Sequence, residues 1–542
     1  MGKTIYYGGR ILTMSDPLYA EAVLVENGVI RAVGNEEDVM KHQDVSTRMV
    51  DLMGRCLMPA FLDSHSHITA LASTMGLVPL AELTDMESVC ARLEDYRVKH
   101  QVKDREWIIG FGYDHNFFPD GRQPDKSDLD CFSRNPVLIS HASGHMGVVN
   151  SMGLQMLGIT KDTPDPEGGR IGRMSEKEGD VSGYGEPDGY LEESAFIGRA
   201  GSMLAPDPEK ELEGIRKAQV VYLSHGITTI QDGLMKEDGF RLLARAGEEG
   251  ILLADIVGYP DLKNAKELAE QHDYVKQYRN HLKIGGYKII LDGSPQGRTA
   301  WMSRPYEDAE DGYRGYPVYG DEELQRYVDT AYREDMQLLA HCNGDAAAEQ
   351  FLNAAEKAAA EIPDAGGKVK DIRPVMIHAQ FAREDQIRRM PEISMIPSFF
   401  AAHTYYWGDV HLKNFGQERA EHISPVKTAA DAGVIYTLHQ DTPVIEPDML
   451  ETVWCAVNRI TKSGVRLAQE EAVSCLDALK GVTVNAAFQY HEEQEKGSIE
   501  EGKRADLIIL SEDPLQVHPD RIRGITVLET IKDGEAVYRK DQ

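Results

Sequence analysis

At 542 residues the chain is too long for one ordinary hydrophobic core, and it has room for a barrel of about 250 residues with insertions and a companion domain. Its 42% hydrophobic and 27% charged residues exclude a disordered chain. Asp and Glu outnumber Lys and Arg by 89 to 58, a formal net charge of -31, so the surface repels nucleic-acid phosphates and anionic lipid, and neither is an expected partner.

The first residues, MGKTIYYGGR, lack the long apolar stretch of a secretion signal, and no apolar run approaches the roughly 20 residues of a membrane span. Two β-rich stretches follow, TIYYGGRILTM and EAVLVENGVIRAVG, the second with a turn signal at Asn27-Gly28. The far end offers ADLIILSEDPL and ITVLETIKDGEAVYR, with a like turn at Asp533-Gly534. Residues 1–58 and 498–542 are therefore expected to form one small composite β-sandwich, which the chain leaves at Pro59 and re-enters at Gly497.

Between them, over residues 59–497, strand-like runs alternate with helical ones, the pattern of parallel βαβ units. In order the runs are MPAFLDSHSH, GITTIQDG, ILLADIVGY, GGYKIILDG, QLLAHCNG, RPVMIHAQ, ISMIPS and GVIYTLHQD, with helices such as DEELQRYVDTAYREDM and KTAADAG interposed. Eight such strands close a (β/α)8 TIM barrel, provided residues 68–224 are an insertion after the first. The cysteines (Cys56, Cys90, Cys131, Cys342, Cys455 and Cys475) show no CxxC pair. This argues against a thiolate zinc cluster and fits a reducing compartment, with the cytoplasm the expected location.

Five of the eight runs end in, or carry, a residue suited to a metal. His65 and His67 stand two apart and so share a strand face. Lys288, His341, His378 and Asp441 occupy later strands in one register, and catalytic groups of such barrels come from strand C-termini. Any one of these histidines read alone is a hydrogen-bonded core residue, and Asp441 alone a helix cap; their common register points to a divalent metal site of the zinc, manganese or iron type. For Lys288 three readings stand open: an ion pair with Asp292, an outward-facing side chain, or a carbamate bridging two cations.

The set MPAFLDSHSH, SHGITTIQDG, YKIILDGSPQGRTA, LLAHCNGDAA, VMIHAQ and HQDTPV resembles the amidohydrolase superfamily, and within it the YtcJ-like branch that includes N-substituted formamide deformylases. The tail GVTVNAAFQYHEEQEKGSIEEGKRADLIILSEDPL is similar to that family's re-entry into the β-sandwich. The resemblance implies one or two ions, with zinc expected. His65 and His67 would hold the first, His341 and His378 the second, with carboxylated Lys288 bridging and Asp441 touching the first metal and moving protons. Two departures stand out: His439-Gln440 where the family has a small residue and Ser, and GSPQGRTA where it reads GSLGSRTA. The ligands are untouched by these, but the relatives' substrate preferences do not transfer.

Such a site implies hydrolysis of a small-molecule non-peptide C–N bond, as in a formamide, N-acyl amine or cyclic amide. Deamination, a metal-assisted lyase or isomerase reaction, and a non-catalytic binding role are the other readings; an acid at position 441 has no purpose in the last. Asp114, His145, Arg298, His403 and Trp407 are the candidate substrate contacts, in segments read as loops at the barrel mouth, including the aromatic run FFAAHTYYWGDVH. The insertion, with its acidic stretch GRMSEKEGDVSGYGEPDGYLEE, is expected to be a lid or an oligomer contact, and a homodimer is one assembly open to the chain.

Overall fold

Both chain ends turn on residues that tolerate a left-handed backbone. Asn27 and Gly28 have φ 53° and 81°, and Asp533 and Gly534 have φ 50° and 78°. Positive φ at both central positions matches the twist of two-residue hairpins, which is why Asn-Gly and Asp-Gly stand there. The two turns abut: a Cβ on Gly28 would lie 2.9 Å from the Asp533 carbonyl oxygen.

These hairpins belong to two sheets of the computed structural model, which describes residues 2–81, 83–142, 144, 146–166, 169–174, 185–196, 198, 208–309 and 311–540. One sheet runs in the order Val29–Gly34, Ala22–Glu26, Lys3–Tyr7, Thr47–Asp51. The other runs Glu535–Arg539, Val527–Lys532, Leu507–Leu510, Cys56–Pro59, Arg10–Leu12, Tyr19–Ala20. Tyr6, Val23 and Val25 of the first meet Ile11, Leu57, Leu507, Ile509 and Ile531 of the second in one buried core.

The chain divides into two compact units, Met1–Leu71 with Ile215–Gln542, and Ala72–Gly214. In the first unit, strands Phe61–Leu62, Ile227–Met235, Asp255–Pro260 and Leu282–Ile284 lie side by side in chain order, all parallel. Strands Gly286–Ile290, Gln337–Cys342, Val375–His378, Ile396–Phe399 and Thr437–Leu438 continue in the same manner. A parallel bridge from Asp261 to Lys288 links the two groups. The Ser64 hydroxyl, just past the first strand, donates to the Leu438 carbonyl of the last strand at 3.0 Å. Each of the eight runs expected to be strands overlaps one of these, and the ninth strand, Leu282–Ile284, lies in none of the runs. Helices Glu237–Glu248, Asp321–Arg333 and Asp345–Glu361 intervene, as parallel strands require a crossover. Leu62, Val257, Tyr259, Leu339, Val375, Ile377 and Ile396 form a buried cluster among the strands.

The Ala72–Gly214 unit has its own sheet, in the order Gly169–Arg173, Pro187–Glu193, Met146–Val149, Val137–His141, Ile108–Tyr113, Val78–Pro79. Apolar clusters pack around it, one with Val78, Leu93, Ile108 and Val137, another with Ile109, Leu138, Leu154 and Leu191. Much of the acidic Gly-rich stretch, and His145, lie outside the described residues. Among the described residues no helix is long and apolar enough to cross a membrane.

Candidate metal centre

The strand ends of the first unit bring six side chains together. His65 and Lys288 are buried, with His65 Nε2 3.3 Å from Lys288 Nζ. Asp441 Oδ1 lies 3.4 Å from His65 Nε2 and 3.3 Å from His67 Nε2, and its Oδ2 lies 3.8 Å from His378 Nε2. The rings of His341 and His378 meet edge to face, 4.6 Å between centroids.

The surrounding hydrogen bonds decide which ring nitrogens are free. Gln231 Nε2 donates to the Ser64 carbonyl at 2.7 Å, so its Oε1 must be the atom that faces His65 Nδ1 at 2.6 Å. That oxygen only accepts, so His65 carries its proton on Nδ1 and presents the Nε2 lone pair inward. His67 Nδ1 donates to the Gly233 carbonyl at 2.7 Å, with the same consequence. Residue 233 must be glycine, because a Cβ there would stand 2.8 Å from His65 Cε1 and 3.1 Å from His67 Cε1.

Neutral Nε2 lone pairs around a carboxylate oxygen make a repulsive arrangement. Asp441 Oδ1 is buried and has no hydrogen-bond partner. Without a cation, relief comes from a proton on His67 and from the Lys288 ammonium beside His65. Burial opposes charge on His67, but the adjoining Asp441 carboxylate outweighs it and raises the His67 pKa above the ordinary 6.5. Asp441, against the same opposing burial, is held below its usual range chiefly by His67. The spacing fits a metal better than a proton: two ligands bound at about 2.0–2.1 Å to a tetrahedral ion stand about 3.4 Å apart. The donor set therefore fits a divalent cation.

Lys288 is neither outward-facing nor paired with Asp292. It is 2% exposed, and burial pulls its ammonium down to about 7. Asp292 instead accepts from the backbone N–H groups of Trp301, Asn343 and Gly344 at 3.0, 2.9 and 2.7 Å. His341 Nε2 faces Asn343 Nδ2 at 3.0 Å and the Gly293 carbonyl at 3.4 Å, and burial pushes its pKa down to about 4. His378 and Asp441 both hold left-handed backbone, φ 71° and 58°, a conformation non-glycine residues adopt at a cost of order 1–3 kcal/mol and one that clusters at functional sites.

His439, set apart in the sequence only as a departure from the family pattern, proves to stand directly behind His378. Its Nε2 is 3.1 Å from His378 Nδ1 and its Nδ1 2.8 Å from Ser398 Oγ. Burial drops its pKa to about 3, so it is neutral and relays orientation from Ser398 to His378. Gln231 and Ser398 carried no signal in the sequence beyond lying in expected strands.

The candidate substrate contacts divide. His403 is buried, 5.9 Å between centroids from His378, and Trp407 packs 5.5 Å from His403. Their segment is no loop: it is the helix His403–Ala420, kinked at Gly416. His403, Thr404, Gly408, His411 and Phe415 are its buried face, a helical spacing that the aromatic composition masked. Arg298 is engaged elsewhere, donating to the Glu307 carbonyl at 2.6 Å with its guanidinium 5.4 Å over the Tyr306 ring. Asp114 lies in the Ala72–Gly214 unit.

Imidazoles, a carboxylate and a buried lysine gathered at the ends of parallel strands make a candidate metal centre on an α/β fold. A model described as the Amidohydrolase family matches residues 48–538, and the chain belongs to that family. It is 28% identical to the YtcJ protein of Bacillus subtilis (strain 168), over 99% of this chain and 100% of that one. To the N-substituted formamide deformylase of Arthrobacter pascens it is 28% identical, covering 96% of this chain and 95% of the other. Among solved structures, an uncharacterized metal-dependent hydrolase from Pyrococcus furiosus superposes with TM-score 0.74 at 24% identity, covering 95% of this chain and 100% of that chain.

Proposed function

We propose that the protein is a metal-dependent amidohydrolase that cleaves a non-peptide C–N bond, such as that of a formamide, N-acyl amine or cyclic amide. The observation that carries this reading is the buried, unpartnered Asp441 Oδ1 held 3.3 and 3.4 Å from two inward Nε2 lone pairs. His65, His67, His341, His378 and Asp441 would hold the cation or cations, zinc being the ion this donor set suits. When bound, such a cation acidifies a water molecule and polarises a carbonyl oxygen.

The protein's own groups account for the remainder. Asp441 takes a proton from the attacking water and returns it to the departing amine nitrogen, work worth about 10²–10⁴-fold in rate. Gln231, the Gly233 carbonyl and His439 hold three imidazoles in the ligating tautomer. A lysine whose pKa burial brings to about 7 offers a neutral amine to carbon dioxide, which supports a carbamate on Lys288 that would add an anionic ligand to the site. The strand order, the Asp261–Lys288 bridge and the Ser64–Leu438 bond support a closed eight-stranded barrel carrying a composite sandwich of residues 1–58 and 498–542. The 28% identity to a formamide deformylase supports formamides as the first substrates to try.

The test is amine release from a panel of formamides, N-acyl amines and lactams by the metal-loaded protein. Asp441→Asn should keep most of its metal and lose turnover. Turnover that persists in that variant, or product formed without oxygen from labelled water, overturns the hydrolytic reading in favour of a lyase or isomerase.

A further inference from the structure

A second cluster of ligand-type side chains lies inside the Ala72–Gly214 unit. Strands Ile108–Tyr113 and Val137–His141 run parallel, with Ile108 opposite Val137 and Tyr113 opposite His141. This register delivers Asp114 and His115, the two residues after the first strand, to the side of His141 at the end of the second. Asp114 has extended backbone and caps the short turn His115–Phe117, its Oδ1 accepting from Asn116 N at 2.9 Å and Asn116 Nδ2 at 2.8 Å. The carboxylate is thereby fixed in place. His141 Nε2 stands 3.4 Å from the same Oδ1, and the His115 and His141 rings are 5.5 Å apart at 52°.

One donor atom from each of the three residues lies within 4.8 Å of the other two. Asp114 and His141 are buried, and His115 Nδ1 is buried with no hydrogen-bond partner. A 3.4 Å separation is long for a charge-assisted hydrogen bond, which favours about 2.7–2.9 Å. It equals the spacing of two ligands on one tetrahedral ion with bonds of about 2.0–2.1 Å.

We propose that Asp114, His115 and His141 bind a divalent transition-metal cation of the zinc or cobalt type, with the remaining coordination left to water or an anionic ligand. Two imidazoles and a carboxylate are a known catalytic-type donor set for zinc, and such a set leaves a position open. The site shares no residue with the strand-end histidine centre.

The experiment separates the two sites. The full-length quadruple variant His65→Ala/His67→Ala/His341→Ala/His378→Ala is dialysed against Co2+, metal is counted per chain, and the visible Co2+ spectrum is recorded. About one equivalent with a ligand-field band is expected to remain, and adding His115→Ala should abolish both. His115 is half-buried on a short turn, so this variant is expected to fold, with thermal melting as the check. His141→Asn, tested alongside it, should weaken Co2+ retention as well. Retention of the full equivalent after His115→Ala, or no cobalt bound by the quadruple variant under conditions that load the parent protein, overturns the proposal. Loss of activity without loss of this equivalent bears only on the hydrolytic centre.

Discussion

The centre is organised as much by residues that do not touch it as by those that do. Gln231 holds the His65 ring through a 2.6 Å contact and is itself locked by the Ser64 carbonyl at 2.7 Å. Replacing it with Leu frees the imidazole to rotate and to move its proton to Nε2, where it blocks ligation. Gln231→Leu should therefore weaken metal binding about 10–100-fold, read by competition with a chromophoric chelator. His439→Ala should do the same through His378; the amide variant His439→Gln, able to accept from His378 Nδ1, should recover part of the loss. A structural role alone would lower stability in both variants without that recovery. This is also where the sequence ran out. His65, His67, Lys288, His341, His378 and Asp441 could be singled out because strand periodicity and strand ends are visible in one dimension. Gln231, Ser398 and His439 act across strands, and nothing in their own spacing announces which imidazole each one meets.

At the level of the elements, Asp292 joins two strand ends. Its carboxylate gathers backbone N–H groups from Trp301, Asn343 and Gly344, so the loop after Gly286–Ile290 and the loop after Gln337–Cys342 are held by one side chain. Spacing from Lys288 suggested an ion pair, because sequence shows the nearest charge and not the backbone donors that loops bring back. Removing the carboxylate leaves buried donors unpaired, each costing about 1–3 kcal/mol. Asp292→Ala should cost roughly 3 kcal/mol in urea unfolding, with Asn343 and His341 displaced; Asp292→Asn, which keeps an acceptor, should cost less. An Ala variant as stable as the parent would mean that water replaces the clamp. The helix His403–Ala420 carries a related lesson, since its aromatic content suggested a loop while its buried positions repeat with helical period. The hairpin turns were legible because only a few residue pairs accept two left-handed φ values in succession; that the two turns pack on one another was not.

Across the whole molecule, a buried charge cluster ties distant parts of the chain. Asp255, at the start of a parallel strand and 1% exposed, meets Lys496 Nζ at 2.7 Å, Lys532 Nζ at 2.9 Å and His281 Nδ1 at 2.8 Å. Lys496 also reaches Glu492 at 2.7 Å, and Lys532 reaches Asp506 at 3.0 Å. Removing one partner leaves buried charge uncompensated, so Asp255→Asn should destabilise the protein by about 3–5 kcal/mol near neutral pH. The pH dependence follows from the direction of the shifts. Burial alone would raise both carboxyls, but Lys496 foremost holds Asp255 well below its ordinary 3.8 and Glu492 at about 2 against 4.5. A depressed carboxyl stabilises the fold above its unfolded value and loses that contribution as pH falls through its folded value. Against this, acidification relieves the self-repulsion of a chain with a formal net charge of -31. The two effects act in different windows: relief of repulsion as surface carboxylates begin to protonate, and loss of the cluster from about pH 4.5 down to 2. Melting temperature should therefore pass through a maximum on the acid side of neutrality and then fall steeply. Glu492→Gln should lower the maximum and flatten the fall, because the proton that drives it no longer has a site. A melting temperature that declines evenly from neutral pH, with the same slope in parent and variant, would remove the cluster from any part in acid stability and assign the decline to groups at the surface.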